Sequence, residues 1–428
     1  MKVIALAPAL LVACGMAPID EPEQLGRTQR ATLRGETPGY VTMTASDDAN
    51  ACVNDPVEDI ESDLIADPSY IVTYNSGVIT DCGDDTDIAP YIDDDEEADP
   101  PDFHRQSIQR LYRDDENWLL VSQSVCREEC RNKPGTMNFW RAGFEVIRMN
   151  AHVGPGDLGS AGLTPTSDFP GAPKCGDRIL NYFEFPVDVP TDATHAGGLQ
   201  VNGRYVAVPL EDPDDGPDAG FMTVDLDDPL SPVAGPVVNR VDGEVTDAGA
   251  AALTRTDDEH FLVMVFGNDA AEGEVFVSAG TTMPTDEADW DPMGAFSCPF
   301  GAVIFGSCVS PHYQNVQFVT ACSEEVYGEL YVVATDKDGS GDDVAGLWKV
   351  TFVDGQHPYA PSFEAVTSQT MICSSTNTAS ERFCDFDAGA GPYVDPDNEL
   401  ILYGVEHYND FPLDGTPANR GIKVREFP

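Results

Sequence analysis

The sequence predicts an all-β protein closed by radial repetition, a β-propeller of five blades, and three observations predict it. No window of a dozen residues sustains the i, i+3, i+4 apolar spacing of a buried helix face. Turn formers are dense, with 38 Gly and 33 Pro among 428 residues. From about residue 104 onward one unit recurs: an apolar strand, a loop rich in Asp, Gly and Pro, then a second strand.

The five units, in order, pair Trp118 to Val125 with Gly143 to Met149, Tyr205 to Leu210 with Gly220 to Leu226, and Phe261 to Phe266 with Glu274 to Ala279. Leu330 to Thr335 with Gly346 to Phe352 and Glu399 to Val405 with Gly421 to Phe427 complete them. Their spacing of roughly 55 to 85 residues leaves room for one or two further strands in each unit. Open sheet edges invite aggregation, so an all-β chain of this length must close a barrel, pack sandwiches or repeat radially. The long period selects the radial solution. Residues 60 to 104, or the insertion at 150 to 185, raise the count to six or seven if either supplies a blade. Tandem β-sandwiches are the structural alternative, but they place turns every ~8–12 residues without a longer period.

Before the repeat the chain divides into three parts. Met1-Lys2 followed by the apolar run Val3 to Val12 has the length and order of a secretory signal, and residues 1–13 are assigned to it. The run ends in Leu11-Val12-Ala13-Cys14, which resembles the bacterial lipobox. That resemblance implies cleavage before Cys14, lipidation of its thiol, and an exported protein anchored through lipid; Gly15 favours the outer membrane or cell surface. Residues 14–50 are polar and aperiodic and read as a flexible acidic tether, and 51–103 as a small segment with a hairpin at Tyr70 to Thr80 and an acidic linker. Residues 104–428 are the propeller domain. Two phrases, His195-Ala-Gly-Gly-Leu-Gln200 through Glu211 and Asp387-Ala-Gly-Ala-Gly391 through His407, resemble those of uncharacterised secreted propeller-like lipoproteins of bacteria. The resemblance implies a fold and a surface habit, not an activity.

Charge excludes partners. With 23 Lys and Arg against 75 Asp and Glu the formal charge is -52, so nucleic acid is repelled. After residue 13 no apolar run reaches the ~20 residues of a spanning helix. Setting Cys14 aside from 11 Cys leaves ten, an even set that an oxidising compartment would pair as disulfides: Cys52, Cys82, Cys126, Cys130, Cys175, Cys298, Cys308, Cys322, Cys373 and Cys384. Cys126 with Cys130, Cys298 with Cys308 and Cys373 with Cys384 are the local pairs, and Cys52 with Cys82 a clamp on the first hairpin.

Two constellations carry chemistry. Asp336, Asp338, Ser340 and Asp342 alternate around Gly339 and Gly341 as in the first half of a calcium loop, where oxygens at every second position turn inward. Position 12 is Leu347 instead of Glu and the flanks read as strands, so the expectation is calcium bound in a hairpin. The second constellation follows from topology: inner strands of a propeller deliver polar residues to one face. Gln123, His195, Gln200, Glu211, Gln314, Asn315, Glu406 and His407 are the candidate ligand-binding residues, amides, carboxylates and imidazoles of the kind a sugar or protein surface requires. The functional expectation is an envelope propeller that binds a polysaccharide or another surface protein, supported by calcium. The alternative is a calcium-dependent polysaccharide hydrolase or lyase with Glu211 and Glu406 as acid and base. No G-x-S-x-G, H-E-x-x-H or phosphate-binding loop accompanies them.

Overall fold

A computed structural model describes residues 40–43, 50–63, 70–75, 102–113, 116–126, 140–149, 178–185, 195–211, 219–241, 247–256, 258–267, 270–304, 307–309, 313–322, 328–337, 343–352, 361–372, 386, 389–394, 398–405 and 421–427. Three strands precede the repeat: β1 (Tyr40–Met43), β2 (Asn50–Ala51) and β3 (Tyr70–Asn75). A helical turn, Pro56–Glu58 and Asp59–Asp63, separates the last two, with the Asp55 carboxylate accepting from the amides of Val57 and Glu58.

The first blade comprises β4 (Asp102–Arg113), β5 (Glu116–Cys126), β6 (Trp140–Met149) and β7 (Arg178–Glu184). In the second, β8 (His195–Ala196) and β9 (Gln200–Asn202) share the inner position, followed by β10 (Tyr205–Glu211), β11 (Gly220–Asp225) and β12 (Val233–Asn239). The third is β13 (Ala250–Thr256), β14 (Phe261–Phe266), β15 (Glu272–Ser278) and β16 (Trp290–Ser297). A separate hairpin, β17 (Ala302–Ile304) and β18 (Ser307–Val309), leads to the fourth: β19 (Asn315–Thr320), β20 (Leu330–Lys337), β21 (Asp343–Phe352) and β22 (Pro361–Met371). The fifth joins β23 (Ala390–Val394), β24 (Leu400–Val405) and β25 (Gly421–Phe427) to β3 from the N-terminal region. Each of the five predicted hairpins is the central pair of one blade. A strand covered on both faces has no solvent side to alternate with, which is why β14 (FLVMVF) and β24 (LILYGV) are buried at every position.

The blades close into a propeller through their inner strands. Ala390 of β23 bridges Ser107 of β4 in parallel, and Gly198 bridges Ala250 in parallel. One face, called the mouth here, therefore carries the beginnings of the inner strands, and the opposite face their ends. Approach at the axis is tight: a Cβ on Gly391 would lie 1.8 Å from the carbonyl oxygen of Ile108, so no other residue fits there.

Four seams between blades are apolar. Phe144, Val146 and Leu120 of the first blade meet Leu199, Val208 and Met222 of the second. Phe221 of the second packs on Phe276 and Trp290 of the third. Phe266, Phe296, Phe300, Tyr313, Trp348 and Phe363 fill the next seam, and Val333 and Leu347 meet Ala390 and Leu402 in the one after. Each such side chain contributes roughly 1.5–3 kcal/mol by leaving water. The seam between the fifth and first blades also carries a polar clasp. Arg110 donates to Tyr403 at 2.8 Å and to Asn117 at 3.1 and 2.6 Å, lies 4.7 Å over the Tyr393 ring, and Tyr403 donates to Glu426 at 2.9 Å.

The N-terminal region differs from expectation. The tether expected to reach about residue 50 is already ordered at β1, which pairs with the end of β13, Tyr40 opposite Thr256. Val53 then bridges Ala321, its amide donating to Thr320 at 2.7 Å, and Asn54 donates to Asn398 at 3.0 Å. Val53 and Ile60 enter the seam between the fourth and fifth blades. The strand at Tyr70–Asn75 is not half of a local hairpin: it pairs with β25 over six positions, Gly421 opposite Asn75 through Glu426 opposite Tyr70, and completes the fifth blade. The propeller thus recruits residues N-terminal to 104. Cys52 is bonded to Cys322 across 270 residues, with Cα atoms 4.8 Å apart, and not to Cys82, because Val53 sits beside Ala321.

Cys298 is disulfide-bonded as well. Cys14, Cys82, Cys130, Cys175, Cys373 and Cys384 lie outside the described residues, and Cys126 and Cys308 are described in their backbone alone.

Candidate functional site

Below the mouth, glutamines cross-link the inner strands. Gln200 of β9 accepts from the amides of Leu253 and Phe318 at 2.9 and 2.8 Å and donates to Phe318 at 2.7 Å, tying three blades together. Gln317 donates to the Leu199 carbonyl at 3.3 Å, and Gln109 to Pro392 at 3.1 Å. Ser107 donates to Ala390 at 3.2 Å. Inner strands have no neighbour on their axial side, so side-chain amides replace the missing strand. Gln200 is thus a cross-link of the axis, with both ends of its amide engaged.

At the mouth, β8 and β10 set His195 and Glu211 directly opposite each other. His195 Nδ1 is hydrogen-bonded to Glu211 Oε1, and Glu211 Oε2 accepts from the amide of Ala248 at 3.0 Å. Glu211 is buried and His195 only slightly open. A carboxylate held at both oxygens fixes the imidazole ring in place. Ser122 and Ser124 of the first blade support this stretch, donating to Gly197 at 2.8 Å and accepting from Ala196 at 3.2 Å.

Beside this pair stand residues the motif reading passed over. Asp247, at the start of the third blade, has a third of its side chain exposed. Arg240 donates to the Asp247 carbonyl at 2.7 Å and lies 3.4 Å from Glu274, and burial draws its guanidinium below the ordinary range despite the acids Glu274, Glu272 and Asp247 around it. A signal for Asp247 was present: Asp247-Ala-Gly-Ala repeats in the sequence as Asp387-Ala-Gly-Ala and nearly as His195-Ala-Gly-Gly.

The other candidates lie around the same face. Gln123 is buried in the first blade opposite Arg105, next to Glu145, whose carboxyl is pushed up by burial and pulled down by Arg105 and Gln123. Gln314 is half-buried and Asn315 buried at the start of β19, where a Cβ on Gly198 would lie 2.8 Å from the Gln314 carbonyl and 3.0 Å from Asn315 Oδ1. Tyr313 precedes them, its phenol pushed up by burial. The structure therefore brings His195, Glu211, Gln314 and Asn315 to one end of the axis, and Gln123 to the seam beside it. Tyr403, in contrast, is buried in the clasp. Glu406 and His407 lie outside the described residues.

Of the calcium loop, Asp336 is buried near the mouth end of β20, opposite Val344. Asp338, Ser340 and Asp342 lie outside the described residues. Among the described residues no group of three or more His, Cys, Asp or Glu gathers as a metal site.

No protein-family model matches the sequence, and no curated protein matches it. Among solved structures, the major allergen Mala s 1 of Malassezia sympodialis is similar over 76% of this chain and 78% of that one, at 10% identity and a TM-score of 0.37. The endo-arabinase of Bacteroides thetaiotaomicron is 11% identical over 76% and 94%, with a TM-score of 0.37. The GH43_1 enzyme of Xanthomonas citri, complexed with xylose, is 12% identical over 76% and 87%, with a TM-score of 0.38. The propeller assignment stands on the strand order and the closed ring of inner strands, independently of these likenesses.

Proposed function

We propose that this chain is an exported, lipid-anchored propeller of the cell envelope that binds a polysaccharide at the mouth. The observation that carries the reading is the convergence of His195, Glu211, Gln314 and Asn315 at the mouth end of an axis whose inner strands are cross-linked by glutamines. Imidazole, amide and carboxylate groups supply the directional hydrogen bonds that hydroxyl-rich ligands need. The charge of -52 opposes polyanions, so a neutral polysaccharide is the preferred class. Binding is preferred over hydrolysis because both Glu211 oxygens are engaged, by His195 and by the Ala248 amide, which suits a positioning role better than proton transfer.

The test uses residues 15–428 without the lipid, in millimolar calcium, against neutral and acidic polysaccharides. Retardation in affinity electrophoresis and release of reducing ends are read together. The expected result is retention by a neutral polysaccharide, weakened by His195→Ala, with no new reducing ends. Retention by none of them overturns the reading, and reducing ends that vanish in Glu406→Gln would make the chain a hydrolase. Anchoring is read separately: Cys14→Ser should move the exported protein from the detergent phase to the aqueous phase.

A further inference from the structure

The N-terminal segment joins the ring from the face opposite the mouth. The third blade's sheet does not stop at its inner strand: β1 and β2 continue the order β16-β15-β14-β13 past β13, toward the axis, where β1 also reaches β19 of the fourth blade. Tyr40 lies opposite Thr256, the last residue of β13, and Val41 opposite Arg255, so β1 runs antiparallel to β13 and climbs toward the mouth. The chain then returns through β2, with Thr42 opposite Ala51 and Met43 opposite Asn50.

It leaves on the face by which it came in. Val53 donates its amide to Thr320, the last residue of β19, and accepts from the amide of Cys322, both at 2.7 Å, beside the Cys52–Cys322 bond. Asn54 donates to Asn398 at 3.0 Å, and the Asp59 carboxylate accepts at 3.0 Å from the amide of Leu400, where β24 begins. These partners all sit at strand ends on the opposite face, so the point where the chain enters is fixed there. His195 and Glu211 stand at the other end of the inner strands, a height of about 20 Å for the seven residues of β13.

Cys14 stands 26 residues before Tyr40, a reach of at most roughly 90 Å. With the opposite face toward the bilayer, the chain runs directly from the membrane to β1. With the mouth toward the bilayer, it must pass outward beneath the four strands of a blade, ~15 Å, and then along the ~20 Å height of that blade before it meets lipid. The detour takes over a third of the reach and narrows the conformations open to those residues, which costs entropy. We infer that the protein sits with the face opposite the mouth toward the bilayer, so that the mouth opens away from the membrane and takes a polysaccharide from beyond its own bilayer, not the headgroup sugars of the lipids that anchor it; this rests on the lipid-anchored, polysaccharide-binding reading above.

The experiment places the lipidated protein on vesicles that contain acceptor-labelled lipid and compares donor-labelled peptide tags. One tag follows Pro428, since β25 ends toward the opposite face with Phe427 opposite Leu402. Two others are inserted in connections at the mouth, between Asp214 and Asp215 and between Gly415 and Thr416, and the melting temperature of each tagged protein shows that it folds. Energy transfer to the lipid is expected to be lower by about twofold or more from both mouth tags than from the C-terminal one, because the ~20 Å strand height separates them. The loaded vesicles should also bridge to beads coated with the polysaccharide that the protein retains. Equal transfer from the three tags, or higher transfer from the mouth, overturns the orientation. Lower transfer from the mouth without bridging keeps the orientation and overturns the polysaccharide partner. If Cys14 carries no lipid, the anchoring reading has failed, and the orientation is judged on residues 15–428 held to nickel-chelating vesicles by a histidine tag before Gly15, where equal transfer again overturns it.

Discussion

Replacing Cys52 and Cys322 together by Ser releases the covalent hold on the N-terminal segment. The two residues are 270 apart in sequence, and for a loop of that size the chain-entropy relation gives about 19 cal/mol/K, or about 5.6 kcal/mol at 25 °C. Removal of native disulfides costs roughly 2–5 kcal/mol in practice, because unfolded chains keep part of their compactness. The expected loss is therefore about 4–5 kcal/mol, a large part of the ~5–15 kcal/mol that holds a typical domain. The hydrogen bonds of Val53 to Thr320 and of Cys322 to Val53, both 2.7 Å, remain and keep the segment in register. Equilibrium urea unfolding without reductant, followed by tryptophan fluorescence, measures the change. The midpoint should fall and the slope should rise, since the unfolded chain loses a constraint that spans 270 residues. A loss below about 1 kcal/mol would refute the argument, for it would mean that the bond restricts the folded and unfolded chains alike.

Three further outcomes are expected. Tyr403→Phe removes the hydroxyl that accepts from Arg110 and donates to Glu426, leaving two buried charged groups each short of one bond, so unfolding should show a loss of about 2–4 kcal/mol. Glu329 is held below its ordinary value of 4.5 chiefly by the 2.5 Å hydrogen bond from Lys349, so its contribution is present above about pH 4.5 and lost as the pH falls through the lowered value. The Glu329 side chain is more than half exposed and solvent screens the pair, so Lys349→Met should flatten the acid limb of stability by less than ~1 kcal/mol. If the loop from Asp336 to Asp342 holds calcium, a concentration tenfold above its dissociation constant should stabilise the protein by about 1.4 kcal/mol, and Asp338→Ala should abolish the rise in melting temperature.

The parts of the fold that were legible in the sequence are those with a local signature. Central strands such as Phe261–Phe266 and Leu400–Val405 are apolar throughout, and they gave the blade count. The inner strands were harder, because Ser107, Gln109, Gln200 and Gln317 replace apolar residues where side-chain amides do the work of a neighbouring strand. Closure by β3 was illegible, since Tyr70–Asn75 pairs with a partner at Gly421–Glu426 and no local pattern encodes so distant a pairing. The same holds for Cys52, whose partner is set by the route of the N-terminal segment and not by spacing along the chain. For the site, the residue types at inner-strand starts were readable, but the pairing of His195 with Glu211 appears only in the register of β8 and β10. Asp247 could have been found from its repeated Asp-Ala-Gly-Ala phrase.

The order of events along the N-terminal segment sets a path for mechanical load. If the N-terminus is anchored as proposed, tension arriving from it first meets β1 and β2, then Cys52, where the disulfide hands it to Cys322 at the end of the inner strand of the fourth blade. Residues beyond Cys52, including the helical turn and β3, lie off that path. The strand that fastens the ring, paired with β25, would then carry no part of that pull, and the disulfide would shield the closure of the fifth blade from load.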